Sequence, residues 1–223
     1  HLGLSMVLPI RPDEAAGLLI SDVDWENQLL EFGTRFSGDD VTKGRTSFRI
    51  PFPPPLVGPL RQCIGGRSAG VLLRKRKVFE EGGGEIPSHE EMMRRYDNFL
   101  LTHPGEKVRT LQDRKKAVRS FLLRIGGLTP DHLSKQFRYL ASTVLSRKVK
   151  FYDLRHAVTQ ELRQAGVGHL EMRYLTGHSA TDILNEYTGL DPVGAMSRYF
   201  ALIDPLLKEI CARFAALTGT TER

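Results

Sequence analysis

Apolar residues recur along this chain mostly at helical spacing, with one stretch of alternation near the start. Pro12 suits a first helical position, and Glu14, Ala15, Leu18 and Leu19 carry a short amphipathic pattern toward Ser21-Asp22, so a helix is expected to open beside Arg11. Between Leu29 and Pro51 the period shortens. Leu29-Leu30-Glu31-Phe32, the turn formers Gly38-Asp39-Asp40, and Thr46-Ser47-Phe48-Arg49-Ile50 read as strands joined by turns, with Lys43 on this small sheet or its hairpin.

Downstream the helical period takes over. Leu111, Val118, Leu122 and Ile125 form an apolar stripe that leaves Arg114, Lys115 and Arg119 for the outer faces. Thr129 is placed to cap a further helix that begins with Pro130. Leu154, Val158 and Leu162 recur every four residues up to a terminating Gly166, which sets Arg155 beside the buried stripe, at its margin. Leu170 to Leu175 make a short helix stopped by Gly177, and Ser179 or Thr181 caps the next one, which carries Tyr187. Asp191-Pro192 and Asp204-Pro205 each read as an Asp cap followed by the first residue of a helix. Met196, Phe200, Ile203, Leu207, Ile210, Phe214 and Leu217 alternate by four and three, a seam able to pack on the home domain or on another subunit, with Pro205 arguing against one long coiled coil. The fold class expected from these patterns is mainly α with a small antiparallel β-sheet, an α+β domain.

The 223 residues suffice for one sizeable core. No apolar run approaches the roughly 20 residues of a membrane helix, so a soluble protein is expected. Lys and Arg number 32 against 26 Asp and Glu, a net charge of +6 that favours a polyanionic partner such as nucleic acid. Cys63 and Cys211 are far apart and outside any metal-ligand spacing, which points to a reducing, intracellular, cytoplasmic setting and to no metal site. The opening residues lack a signal peptide and read as a domain cut from a longer protein. The basic run Arg74-Lys75-Arg76-Lys77 leads through Glu81-Gly82-Gly83-Gly84 into charged helical stretches, and residues 77–125 are expected to be a helical insertion. The three glycines lack the ending of a phosphate loop, and His89-Glu90-Glu91 lacks the second histidine of a zinc protease motif.

Four separated pieces carry a resemblance when taken in order. Arg11-Pro-Asp-Glu14 with Leu18 and Asp22-Val-Asp24 resembles the first arginine box of the tyrosine recombinases, the phage-integrase family. Lys43, eight residues before Pro51, is similar to that family's β-hairpin lysine, and Tyr152-Asp-Leu-Arg155-His156 resembles its second box, His-x-Leu-Arg-His. Thr176-Gly-His178-Ser, with Tyr187 nine residues beyond His178, resembles the box that ends on the nucleophilic tyrosine. The resemblance spans residues 5 to 190 apart from the insertion, and its one departure is Tyr152 in place of a histidine.

The resemblance implies a catalytic domain without the family's amino-terminal DNA-clamping domain. It also implies an enzyme that breaks and rejoins DNA without metal, ATP or any other cofactor. A phosphodiester repels nucleophiles, and charge grows on its oxygens as it is attacked, so fixed cations must meet that charge. Arg11 and Arg155 suit a planar bidentate grip on the nonbridging oxygens, and His178 adds a donor. A tyrosine hydroxyl titrates near pH ~10, so Tyr187 needs cationic neighbours to act as nucleophile. Lys43 is then the general acid for the departing 5′-oxygen. Tyr152 stands where the family's imidazole donates to the phosphate, Glu14 orients an arginine, and His156 hydrogen-bonds behind the contacting residues.

Arg45, Arg74, Lys75, Arg76, Lys77, Lys148 and Lys150 are candidate DNA contacts, with solvated helix faces as the plainer reading of the basic run. The expected partners are double-stranded DNA and further copies of the chain, as a dimer or tetramer on DNA. Residues 191–217 are expected to form carboxy-terminal helices able to dock in trans. Two rival functions keep the same scaffold: a type IB topoisomerase-like relaxing enzyme, and a DNA-binding protein that does not cut.

Overall fold

The computed structural model describes residues 4, 7–32, 48–75, 77, 86, 88–103, 110–145, 148–177 and 191–218. Helix α1 (Pro12–Ala16) starts at the proline as the sequence predicts, with Arg11 as its extended N-cap. It is shorter than the apolar pattern suggests. Gly17 closes it by donating to the Asp13 carbonyl, and Leu18-Leu19 leave as extended chain. Leu19 bridges to Val71, while the amides of Ile20 and Leu72 donate to Gly70 and Leu18. Tertiary pairing with residues 70–72 therefore replaces the second helical turn.

A 3₁₀ turn (Ile20–Asp22) leads into β1 (Val23–Asp24), which pairs antiparallel with β2 (Leu29–Phe32); β2 pairs antiparallel with β3 (Phe48–Pro51). The register sets Val23 against Leu30, Leu30 against Ile50, and Phe32 against Phe48. Alternation then does what the pleat requires: Leu30, Phe32, Phe48 and Ile50 are buried on one face, while Glu31 and Arg49 pair across the other. The Phe32 and Phe48 rings stack at 5.2 Å.

The helices that follow are α2 (Val57–Ile64), α3 (His89–Thr102), α4 (Leu111–Arg124), α5 (Pro130–Leu145), α6 (Phe151–Gln164), α7 (His169–Leu175) and α8 (Pro192–Thr218). Short polar side chains start several of them. Ser88 and Thr110 accept from the amides of Glu91 and Asp113, and Asp113 returns the contact to the Thr110 amide. Thr129 caps α5 through the His132 amide, as expected, and Asp191 caps α8 through the Gly194 amide. Gly166, at φ +74, ends α6 in the left-handed conformation that glycine adopts most cheaply.

Among the described residues, most buried apolar side chains fall into two clusters. The larger unites the sheet with Leu133 and Phe137 of α5, Val158 and Leu162 of α6, Leu175 of α7, and Met196, Tyr199 and Leu207 of α8. The smaller joins Tyr96 and Phe99 of α3 to Ala117, Val118, Phe121 and Leu122 of α4, within the segment that reads as an insertion. Leu18 belongs to the first cluster and Leu19 to the second, because successive side chains of extended backbone point to opposite sides. The paired strand segments 18–19 and 71–72 thus lie between the two clusters. Arg119 of α4 also reaches Asp13 of α1 at 2.5 Å. Both partners are well exposed, so this contact adds little to stability.

The carboxy-terminal region differs from its expected two helices. One helix, α8, runs through Pro205. The proline orphans the Ala201 carbonyl, but Ala201 and Pro205 both lie on exposed stretches where water is at hand, and buried Ile203 and Leu207 hold the helix on either side. Met196, Tyr199, Ile203 and Leu207 pack in the chain's own core.

Candidate active site

Arg11 and Arg155 come together around one carboxylate. Arg11 enters by local geometry: as the N-cap of α1 it sits one turn before Glu14, whose Oε2 accepts the Arg11 amide at 2.6 Å and whose Oε1 accepts Arg11 Nη1 at 2.7 Å. Arg155 comes from α6, with Nη1 3.7 Å from Glu14 Oε2. Glu14 is buried, at 5% exposure, and so is Arg155. The sequence reading of Arg155 at the margin of the α6 stripe needs correction: it lies in the buried stripe with Phe151, Val158 and Leu162, while Leu154 is only partly covered. A buried guanidinium must spend its donors, and this one gives Nη1 to the Pro9 carbonyl and Nη2 to the Thr176 carbonyl, both at 2.5 Å.

Electrostatics follow from that placement. Burial, then the neighbouring Arg11 cation, hold Arg155 below the usual guanidinium range, and Glu14 opposes both. One carboxylate between two guanidiniums leaves a net positive charge. Such a centre suits an anion that approaches the Arg11 side.

The bond from Arg155 to Thr176 has a second consequence. Thr176 and Gly177 end α7, and Gly177 turns the chain at φ +60. A Cβ at this position would stand 2.9 Å from two carbons of the Phe48 ring and 3.5 Å from Arg11 Nη1. The backbone immediately before His178 is therefore held against both arginines and against β3. Tyr174 strengthens the same junction by accepting the Arg49 amide of β3.

Tyr152 and His156 occupy successive turns of α6, and both are exposed. Their rings meet edge to face at 4.7 Å. Tyr152 stands three residues before Arg155 on the same helix. Lys148 and Lys150 are exposed just before α6. Arg74 and Lys75 are partly covered at the junction with α4, where Arg74 bridges to Gly127 and the Lys75 amide donates to Gly126; Lys77 is exposed. Lys43, Arg45, Arg76, His178 and Tyr187 lie outside the described residues, as do the expected Ser179 and Thr181 caps.

Solved structures with which the chain compares include the Tn1549 transposon integrase in complex with transposon right-end DNA. That match has a TM-score of 0.50 and 16% identity over 90% of this chain and 57% of the integrase chain. The same integrase in complex with a circular intermediate DNA matches at TM-score 0.48 and 15% identity, over 85% of this chain and 54% of that one. XerA recombinase matches at TM-score 0.39 and 14% identity, over 90% and 55%. The fold is that of a tyrosine recombinase catalytic domain. The chain spans a little over half the length of the integrase chain it matches. Neither a protein-family model nor a curated protein matches it.

The sequence reading singled out both arginines and Glu14 and quoted Thr176 in its third box, but gave no part to the Thr176 or Pro9 carbonyls, because main-chain acceptors leave no side-chain signal. Among the described residues no group of three or more His, Cys, Asp or Glu is placed to hold a metal ion. Among them, too, no helix is long and apolar enough to cross a membrane.

Proposed function

We propose that this chain is the catalytic domain of a site-specific DNA recombinase or integrase that cuts and rejoins strands through Tyr187. In this reading Tyr187 gives up its proton to solvent, its phenolate is held by the cations and attacks a backbone phosphorus, and the bond to the 5′-oxygen breaks, leaving a 3′-phosphotyrosyl link. Lys43 gives the departing oxygen its proton. The 5′-hydroxyl of another strand then attacks the same phosphorus and releases the tyrosine, so the energy of the broken ester is kept and no ATP is consumed. Double-stranded DNA is the substrate, and copies of the chain assemble on it as a dimer or tetramer.

The observation that carries this reading is the meeting of Arg11 and Arg155 on Glu14, with Arg155 also holding the Thr176 carbonyl. Residues of three motifs far apart in sequence meet here, Arg11 with Glu14, Arg155, and Thr176, which stands two positions before His178 in the chain. Two guanidiniums with planar donor sets match the nonbridging oxygens of a phosphodiester, whose charge rises in the transition state. Arg11 is the more accessible of the two, with its side chain 18% exposed against 6% for Arg155. In this division Arg155 fixes the scaffold and offers its remaining donors, while Arg11 meets the phosphate first. Tyr152, exposed beside Arg155, supplies a hydroxyl donor where the family has an imidazole.

The deciding experiment is incubation with a nicked suicide DNA substrate followed by denaturing electrophoresis. The parent chain should give a slower protein–DNA band, and Tyr187→Phe should give none. Binding without any covalent band from the parent would assign the scaffold to a DNA-binding role. Relaxation of supercoiled DNA without exchange between duplexes would favour the topoisomerase-like reading.

A further inference from the structure

Helix α5 and the chain entering α6 enclose a groove of about 870 Å³, with Lys135, Arg138 and Tyr139 on one side and Lys148, Lys150 and Asp153 on the other. Residues 135, 138 and 139 share one face of α5 because they are three and four positions apart. Four cations face one carboxylate, and that carboxylate is already engaged: Asp153 Oδ2 accepts the Lys150 amide at 2.7 Å. The groove is therefore strongly positive. In its wall Tyr139 is 71% exposed. Its main chain is fixed, since the Tyr139 carbonyl accepts the Ser142 and Thr143 hydroxyls at 2.8 and 3.0 Å.

We propose that this groove holds a single-stranded segment of DNA, with the four cations along its phosphates and the Tyr139 ring stacked on a base. The cations alone would suit any phosphate backbone. The ring makes the choice. In a duplex both faces of each base are covered by its neighbours, whereas an unpaired base offers a free π-face to an exposed aromatic side chain set among cations. Lys150 is the N-cap of α6 and Asp153 lies in its first turn, so a strand seated here lies beside the helix that carries Arg155. The inference goes beyond the covalent chemistry and does not depend on it, because a strand can be seated whether or not Tyr187 attacks.

The test is fluorescence anisotropy of a labelled oligodeoxythymidine and a labelled hairpin duplex with the full chain over a series of salt concentrations. Tyr139→Ala should weaken oligodeoxythymidine binding about five- to a hundredfold and leave the duplex nearly unchanged. Tyr139→Phe, which keeps the ring, should bind like the parent. Lys135→Ala and Lys148→Ala should each lower the slope of log K against log salt by about 0.7 for the single strand. An equal loss for duplex and single strand on Tyr139→Ala would overturn the proposal in favour of a duplex backbone track. No loss at all would reduce Tyr139 to a surface residue. Because binding is read without cleavage, absence of a phosphotyrosyl band in the suicide assay would sink the proposed function and leave this result standing.

Discussion

Glu14 and Arg155 meet inside the protein, carboxylate Oε2 to guanidinium Nη1 at 3.7 Å, although one belongs to α1 and the other to α6. Glu14 also holds Arg11 through both its amide and its side chain. The carboxylate is thus the counter-charge of two cations in a site from which water is largely excluded. Glu14→Gln keeps the shape and removes the charge, leaving the guanidiniums to repel each other. Breaking a buried ion pair from one side is strongly destabilising, and we expect a loss of about 3 kcal/mol in urea unfolding. A change below ~1 kcal/mol would mean that the carboxylate does not neutralise the cluster.

Arg155→Lys separates charge from shape. Lysine keeps the positive charge, but it offers a point donor on a flexible stem and cannot reach the Pro9 and Thr176 carbonyls together as the guanidinium does. One buried carbonyl is left unmet, at a cost of about 1–3 kcal/mol. Chemical denaturation should show that loss, and the covalent band should weaken with it. A lysine variant as stable as the parent would show that the two carbonyl contacts contribute nothing.

How much of this was legible beforehand depends on whether the signal was local. Pro12 as a helix start, Thr129 and Asp191 as caps, Gly166 and Gly177 as stops, and the alternation of Leu29 to Phe32 are all set by neighbours within a few residues, and all appear where the pattern put them. Three expectations failed for tertiary reasons. Helix α1 is cut short because Leu18 and Leu19 pair with residues 71–72; Arg155 is buried because two distant carbonyls accept its donors; and α8 passes through Pro205 because its apolar residues are packed on both sides. The arginines of the candidate site were readable from motif order. Their common carboxylate was readable only as a residue one turn after Arg11. The cationic face of α5 left a trace, Lys135, Arg138 and Tyr139 at helical spacing, but nothing local says that Lys148 and Lys150 lie opposite.

Gly177→Ala tests the junction before His178. The left-handed backbone at this position costs an L-residue about 1–2 kcal/mol, and the added methyl would press on Phe48 at 2.9 Å. We expect a loss of more than ~2 kcal/mol, read as a drop in the urea midpoint. Combining it with Phe48→Leu should return part of the loss, because the smaller side chain relieves the overlap but not the backbone strain. A double variant no better than the single would place the whole cost in the backbone.

Tyr152→Phe probes the departure from the second-box pattern. Phenylalanine retains the edge contact with His156 and loses only the hydroxyl, and at 47% exposure the fold should not notice. If the hydroxyl donates to the attacked phosphate, formation of the covalent band should slow by about ten- to a hundredfold, the worth of a hydrogen bond to a charged group. A parental cleavage rate would remove Tyr152 from the chemistry.

Pro205→Ala asks whether α8 carries strain that its packing overrides. In a helix interior proline is about 3 kcal/mol less favourable than alanine, because it lacks the amide that would bond to residue 201 and its ring crowds that carbonyl. Here the helix persists, with buried Ile203 and Leu207 holding it to the core. Alanine at this exposed position disturbs no buried contact and restores the amide, so the variant should gain about 1–3 kcal/mol, seen as a higher melting temperature and denaturation midpoint. The reverse result, unchanged or lower stability, would mean that the helix is bent at Pro205 and that Leu207 reaches the core only through that bend. Straightening α8 would then pull Leu207 from its contacts, and the two outcomes separate cleanly because one raises the midpoint and the other does not.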